Sequence, residues 1–162
     1  MFARIALAFL LSASPVDAGS PYSAPTEPLK VSVGKMSFSG STIKLTKSDN
    51  EALECDIDGR AEFTLTNSDF AIAAQKIVIS RTANSEITIR CTGDCRFTDP
   101  EHTCRADSMQ IRIAKQFKLE LTGNCRVEYG EGEERTTLAG ESITFHDGTF
   151  NVSGAASLKR GQ

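Results

Sequence analysis

Four stretches of the chain place an apolar or small residue at every second position. They read Leu53, Cys55, Ile57, Gly59, Ala61, Phe63; Ile87, Ile89, Cys91, Gly93, Cys95, Phe97; Phe117, Leu119, Leu121, Gly123, Cys125, Val127, Tyr129; and Phe150, Val152, Gly154, Ala156, Leu158. The residues between them are polar or charged, as at Arg90, Asp94, Arg96, Lys118, Glu120 and Arg126. Period-two alternation of this length predicts strands with one dry and one wet face. Each stretch has a glycine near its middle, on the side the alternation assigns to the dry face. Copies recurring about every thirty residues predict a repeat architecture.

A second kind of strand lies between these. Its copies run Met36, Phe38, Gly40 then Ile43, Leu45; Phe70, Ile72, Ala74 then Ile77, Ile79; Cys104, Ala106 then Met109, Ile111; and Leu138, Gly140 then Ile143, Phe145. Each alternates, passes a small residue, slips phase by one and alternates again. A one-residue slip predicts a β-bulge or sharp bend, because otherwise the apolar set would turn to solvent. Turn chemistry separates the strands, as at Lys47–Asn50, Thr66–Asp69, Thr98–Glu101, Gly130–Glu133 and His146–Thr149. The prediction is an antiparallel meander of eight strands in four two-strand repeats.

Pairing the hairpins about their turns places Gly59 opposite Ala74, Gly93 opposite Ala106 and Gly123 opposite Gly140, with Gly154 at the equivalent place in the last strand. Such a line of small residues would let the sheet fold along a crease, like a bent card. The rival is a flat sheet with incidental glycines, although glycine inside a strand usually marks a bend or a close approach.

The length of 162 residues suits one domain with a core of its own. A formal charge of −3 gives no excess of cations for neutralising phosphates, so no nucleic-acid partner is expected. Residues 1–18 read as a cleavable signal peptide: Arg4 is followed by the apolar run Ile5–Leu11 and the small-residue site Val16-Asp17-Ala18. Residues 19–28, with three prolines, read as a flexible leader, and 29–160 as the β domain. Export would take the chain to an oxidising compartment.

The stretches Gly93-Asp94-Cys95-Arg96-Phe97 and Gly123-Asn124-Cys125-Arg126-Val127, with Ala106-Asp107-Ser108-Met109-Gln110-Ile111 between them, resemble the LptA/OstA N-terminal family. The similarity runs from about Val31 to Leu158. It implies an all-β, V-shaped β-jelly roll in the periplasm that takes part in lipopolysaccharide transport and outer-membrane biogenesis. It also implies that acyl chains bind inside the V and that similar domains assemble into a bridge between membranes.

Candidate chemistry adds little to this. His102 and His146 fall in expected turns, where a histidine is usually solvated, and no nucleophile elbow, P-loop or dinucleotide fingerprint is present. No enzymatic activity, cofactor or metal is expected. Cys91, Cys95, His102 and Cys104 could suggest zinc, but they lack the close C-x2-C pairs that tetrahedral sites use. The expected hairpin register makes Cys95–Cys104 a disulfide candidate. The alternative is that all five cysteines are small core residues.

Ile77, Ile79, Ile89, Phe97, Met109, Ile111, Leu119, Leu121, Val127, Ile143 and Phe145 are expected to face the interior. They either fill the core or line a cleft suited to acyl chains, since none carries charge. The expected sheet edges, Met36–Leu45 and Phe150–Leu158, are open to strand addition by similar jelly-roll domains or by a second copy. The leading expectation is a lipopolysaccharide- or lipid-binding transport protein. The alternative is a structural adaptor with the same fold and a closed core.

Overall fold

The structure is a computed structural model that describes residues 28–33, 35–47, 53–66, 68–82, 86–130 and 134–160. The signal-peptide and most leader residues lie outside that set. The strands are β1 (Leu29–Val33), β2 (Met36–Gly40), β3 (Thr42–Lys47), β4 (Leu53–Leu65), β5 (Ala71–Arg81), β6 (Ile87–Thr98), β7 (His102–Ile113), β8 (Phe117–Tyr129), β9 (Thr136–His146), β10 (Thr149–Ser153) and β11 (Ser157–Arg160). They form one open antiparallel sheet ordered β1-β2-β4-β5-β6-β7-β8-β9-β10, with β3 added to β4 and β11 added to β9. This is the bent-sheet all-β class that the alternation predicts.

Among the described residues, eleven strands replace the expected eight for local reasons. The strand expected over Met36–Leu45 breaks at Gly40-Ser41 into β2 and β3, and the one over Phe150–Leu158 breaks at Gly154 into β10 and β11. Leu29–Val33 adds a further strand outside β2. The first edge therefore differs from expectation: β1 covers β2, and only β3 remains an edge beside β4.

The crease exists, but its register is not the one that counting from the turns suggests. At each crossing, two residues of one strand oppose a single residue of the preceding or following strand. Gly93-Asp94 of β6 stand against Asp107 of β7, and Gly123-Asn124 of β8 stand against Glu141 of β9. Gly59-Arg60 of β4 stand against Gln75 of β5 in the same way. This is bulge geometry, in which the extra residue bends the strand and increases its twist. Both residues of each pair are left-handed, for example Gly93 at φ 78° with Asp94 at φ 48°.

Each hairpin is also centred one residue further along than expected, so its partners are displaced by two residues on the turn side of the bulge and by one beyond it. Cys95 faces Ala106, not Cys104, and Cys104 faces Phe97. Gly140 faces Cys125, not Gly123, and Ala74 faces Ala61, not Gly59. The glycines also lie differently from expectation. Their missing Cβ atoms point at exposed polar side chains: Ser41 above Gly59, Gln75 above Gly93, Asp107 above Gly123 and Glu141 above Gly154. The small residues of the inner crease are Gly40, Ala61, Ala74, Cys95, Ala106, Cys125 and Gly140.

The phase slip keeps one face dry throughout. In β7 the buried positions run Cys104, Ala106, then Met109, Ile111, while β6 keeps its parity by placing two residues at the bulge. The inner faces of both halves of every long strand thus enter one core cluster. The upper half of the sheet carries Phe97, Cys104 and Val127, and the lower half carries Ile89, Ile111 and Leu121.

Candidate functional site: the interior and its aromatic seam

Burial of alternate apolar side chains, each worth about 1.5–3 kcal/mol, drives the two halves onto each other. Ten of the eleven expected interior residues are buried in the core: Ile77, Ile89, Phe97, Met109, Ile111, Leu119, Leu121, Val127, Ile143 and Phe145. Ile79 is half-buried and packs against them. Ile77, Ile111, Leu121 and Val127 are wholly inaccessible to solvent.

The halves meet along an aromatic seam at one side of the sheet. Tyr129, at the upper end of β8, stacks on Phe150 of the lower half, with ring centroids 5.7 Å apart and planes at 16°. Phe150 in turn packs on Phe145 at 4.6 Å, and Phe145 on Phe117 at 6.1 Å. His102, at the upper end of β7, sits 5.9 Å from Phe145 and 5.8 Å from Phe150. A second aromatic chain, Phe38–Phe63–Phe70–Phe97, lines the upper half nearer the first edge.

The seam contains a charged pair. His102 Nδ1 lies 3.1 Å from Asp99 Oδ1, and that oxygen also accepts the backbone N–H groups of Glu101 and His102 at 2.8 and 2.7 Å. The Asp99 hydrogen bond raises the pKa of His102 against the opposing effect of burial. Burial alone would raise the carboxyl pKa of Asp99, but the His102 ring and the two N–H donors lower it on balance. His102 is thus half-buried at the junction of the halves, where the sequence suggests a solvated turn histidine.

Asp99, His102, Phe117, Tyr129 and Phe150 do not stand out as site residues in the sequence. The available signal is the Asp99-x-x-His102 spacing, which suits a side-chain cap on a turn, together with an aromatic at each strand end. Between Phe97, Asp99, His102, Cys104, Phe117, Leu119, Phe145 and Phe150 is a cavity of about 10 Å³. That is the room of about one water.

All five cysteines are buried free thiols. The Cys95–Cys104 disulfide is not formed: the turn sets Thr98 against Thr103, so Cys95 faces Ala106 and Cys104 faces Phe97, and the two are out of direct opposition. Two thiols have specific partners at the crease. Cys95 Sγ donates to the Asp107 carbonyl at 3.4 Å, and Cys125 Sγ to the Glu141 carbonyl at 3.3 Å. Each thus partners a carbonyl of the residue opposite the bulge, where the ladder is interrupted. Burial pushes Cys91 and Cys104 up to about 12, and Cys55 and Cys95 up to about 11.

Large exposed apolar side chains occur at the sheet edges: Leu29 and Val31 on β1, Leu45 on β3 and Leu158 on β11. Comparison with protein-family models, with characterised proteins and with solved structures returns no match.

Proposed function

We propose that the chain is an exported, non-enzymatic lipid carrier of the LptA/OstA type, acting in the periplasm. Its ligand is lipopolysaccharide or another acylated lipid, whose acyl chains lie between the two halves of the bent sheet. The observation that carries this reading is the aromatic seam, where Tyr129 and His102 of one half meet Phe145 and Phe150 of the other. Behind it lie Leu119, Met109, Ile111 and Leu121, with no charge among them. A bent sheet is closed by its bulges along the crease and by side-chain packing alone along the seam, so the seam is where it opens to an apolar chain.

Docking to similar domains, or to a second copy, would use the edges. Apolar residues concentrated on β1, β3 and β11 suit strand addition, in which backbone hydrogen bonds supply affinity and side chains supply fit. The resemblance to the family rests on the glycine-centred motifs and the repeat.

A second reading is a structural adaptor with the same fold and a closed core. The cavity of about 10 Å³ favours it, since an acyl chain needs the halves to part. Native mass spectrometry of protein purified from the exported fraction, followed by exchange against a fluorescent acylated lipid, separates the two. The carrier reading expects a bound or exchangeable lipid. A protein that never acquires one is an adaptor.

A further inference from the structure

On the outer face of the upper half, Arg96 of β6 directly faces Arg105 of β7, and Arg105 directly faces Arg126 of β8. All three are exposed. Neighbouring strands are about 4.8 Å apart, so three guanidinium groups rise from a line of about 10 Å. Like charges directly opposite each other destabilise a sheet, and here the juxtaposition occurs twice in succession.

The two outer arginines are held in place. Arg96 Nη2 donates to Asp94 Oδ2 at 3.0 Å, and Arg126 Nε donates to Glu128 Oε1 at 2.7 Å. Glu128 is braced from its other oxygen by Arg135. Arg105, between them, has no acidic partner among the described residues. Ala73 and Ala139 continue the row on either side and leave it unobstructed. On the crease side stand Asp94, Asp107 and Glu141, while the rim-side row runs Thr98, Thr103 and Glu128, the last with its carboxylate taken up by Arg126 and Arg135. An anion therefore has an approach to Arg105 from the rim over the hydroxyls of Thr98 and Thr103.

We propose that Arg96, Arg105 and Arg126 form a binding site for a phosphate group, with Arg105 as its central ligand. A tetrahedral oxyanion accepts paired N–H donors from guanidinium groups and relieves their mutual repulsion. The site is on the outer face, away from the interior, and stands or falls independently of the lipid-carrier reading. The same phosphate chemistry could come from a free ion or from a lipid headgroup.

The test measures binding of the purified protein to inorganic phosphate by calorimetry, and to vesicles of phosphatidylcholine with or without phosphatidylglycerol by co-sedimentation. Arg105→Gln is compared with Arg112→Gln, which removes one exposed cation from the other half of the sheet. The expected result is binding to at least one phosphate probe, weakened about tenfold by R105Q and changed less than about twofold by R112Q, since a charge-assisted guanidinium contact is lost only in the first. Binding to inorganic phosphate identifies the free oxyanion as sufficient, whereas binding only to the anionic vesicles identifies the headgroup. The proposal is overturned if neither probe binds, if R105Q binds as the wild type does, or if the two variants lose equally.

Discussion

Gly123 lies directly beneath Asp107 on the outer side of the crease: a Cβ at residue 123 would overlap the Asp107 carboxylate oxygen and come within 2.9 Å of its Cβ. The same seat recurs at Gly93 under Gln75 and at Gly154 under Glu141. The bulge needs a left-handed residue and also needs that residue to have no side chain.

Gly123→Ala tests both requirements. Gly148 has nearly the same φ, 75° against 76°, but nothing within 4 Å of where its Cβ would be. Gly148→Ala should cost about 1–2 kcal/mol, the ordinary strain of a left-handed alanine. Gly123→Ala should cost about 1–3 kcal/mol more, because it also overpacks the crease. Urea unfolding of the two variants measures the difference, and equal losses would remove the close approach from the explanation.

The turn centres and the bulges are the two features of the hairpins that the sequence does not reveal. The alternation through Cys91, Gly93, Cys95 and Phe97 keeps its parity, so nothing in the hydrophobic pattern betrays the one extra residue at Gly93-Asp94. The slip in the opposite strand, between Ala106 and Met109, does betray a bend, and the structure has it there. Fold class, crease and core were therefore legible. Hairpin partners were not, because turn residues do not reveal where a turn is centred: Thr98 pairs with Thr103, not Glu101, and the bulge, whose second member such as Asp94 or Asn124 looks like any wet-face residue, shifts the register once more beyond it. The seam was hidden for a different reason: His102 and Phe150 are far apart in sequence and meet only once the sheet has folded over.

The thiols should be unreactive in the native state. Burial raises Cys91 and Cys104 to about 12, so the thiolate that attacks a disulfide reagent is scarce at pH 8. An aromatic disulfide reagent should label none of the five rapidly in the folded protein and all five in denaturant. Peptide mass mapping without reduction should find Cys95 and Cys104 unbridged. Fast labelling of a single native thiol would contradict the burial of these side chains, and a Cys95–Cys104 peptide would contradict the register that sets them out of opposition.

The seam pair should make stability depend on pH in a defined direction. His102 titrates above its ordinary value of 6.5, so its contribution is complete below that pH and is lost as pH rises through the folded pKa. Asp99 titrates below its ordinary 3.8, so its contribution is complete above that pH and is lost as pH falls through the folded pKa. The pair therefore stabilises most between about pH 4 and 6.5. Asp99→Asn retains an oxygen to accept the Glu101 and His102 N–H groups but removes the charge. Its deficit, no more than about 1 kcal/mol for a partly exposed pair, should shrink as pH is raised from 6 to 9 in thermal melts. A deficit that grows over that interval would mean the pairing has the wrong sign.

Under the lipid-carrier reading, Phe150 joins stability to ligand entry. This ring stacks on Tyr129 of the opposite half and packs on Phe145 and His102, so it ties the two halves together where no backbone ladder does. Aromatic pairs contribute about 0.5–1.5 kcal/mol beyond the area they bury, and Phe150→Ala should cost about 3 kcal/mol in all. If the seam is the entrance for an acyl chain, the same truncation lowers the cost of parting the halves, because less ring packing then holds the closed state together. Exchange of a fluorescent acylated lipid should then be faster in Phe150→Ala than in the wild type, measured at a temperature where both are folded. Phe38→Ala, which truncates the other aromatic chain away from the seam, should destabilise by a similar amount without that acceleration. Equal exchange rates in the two variants would place the entrance elsewhere.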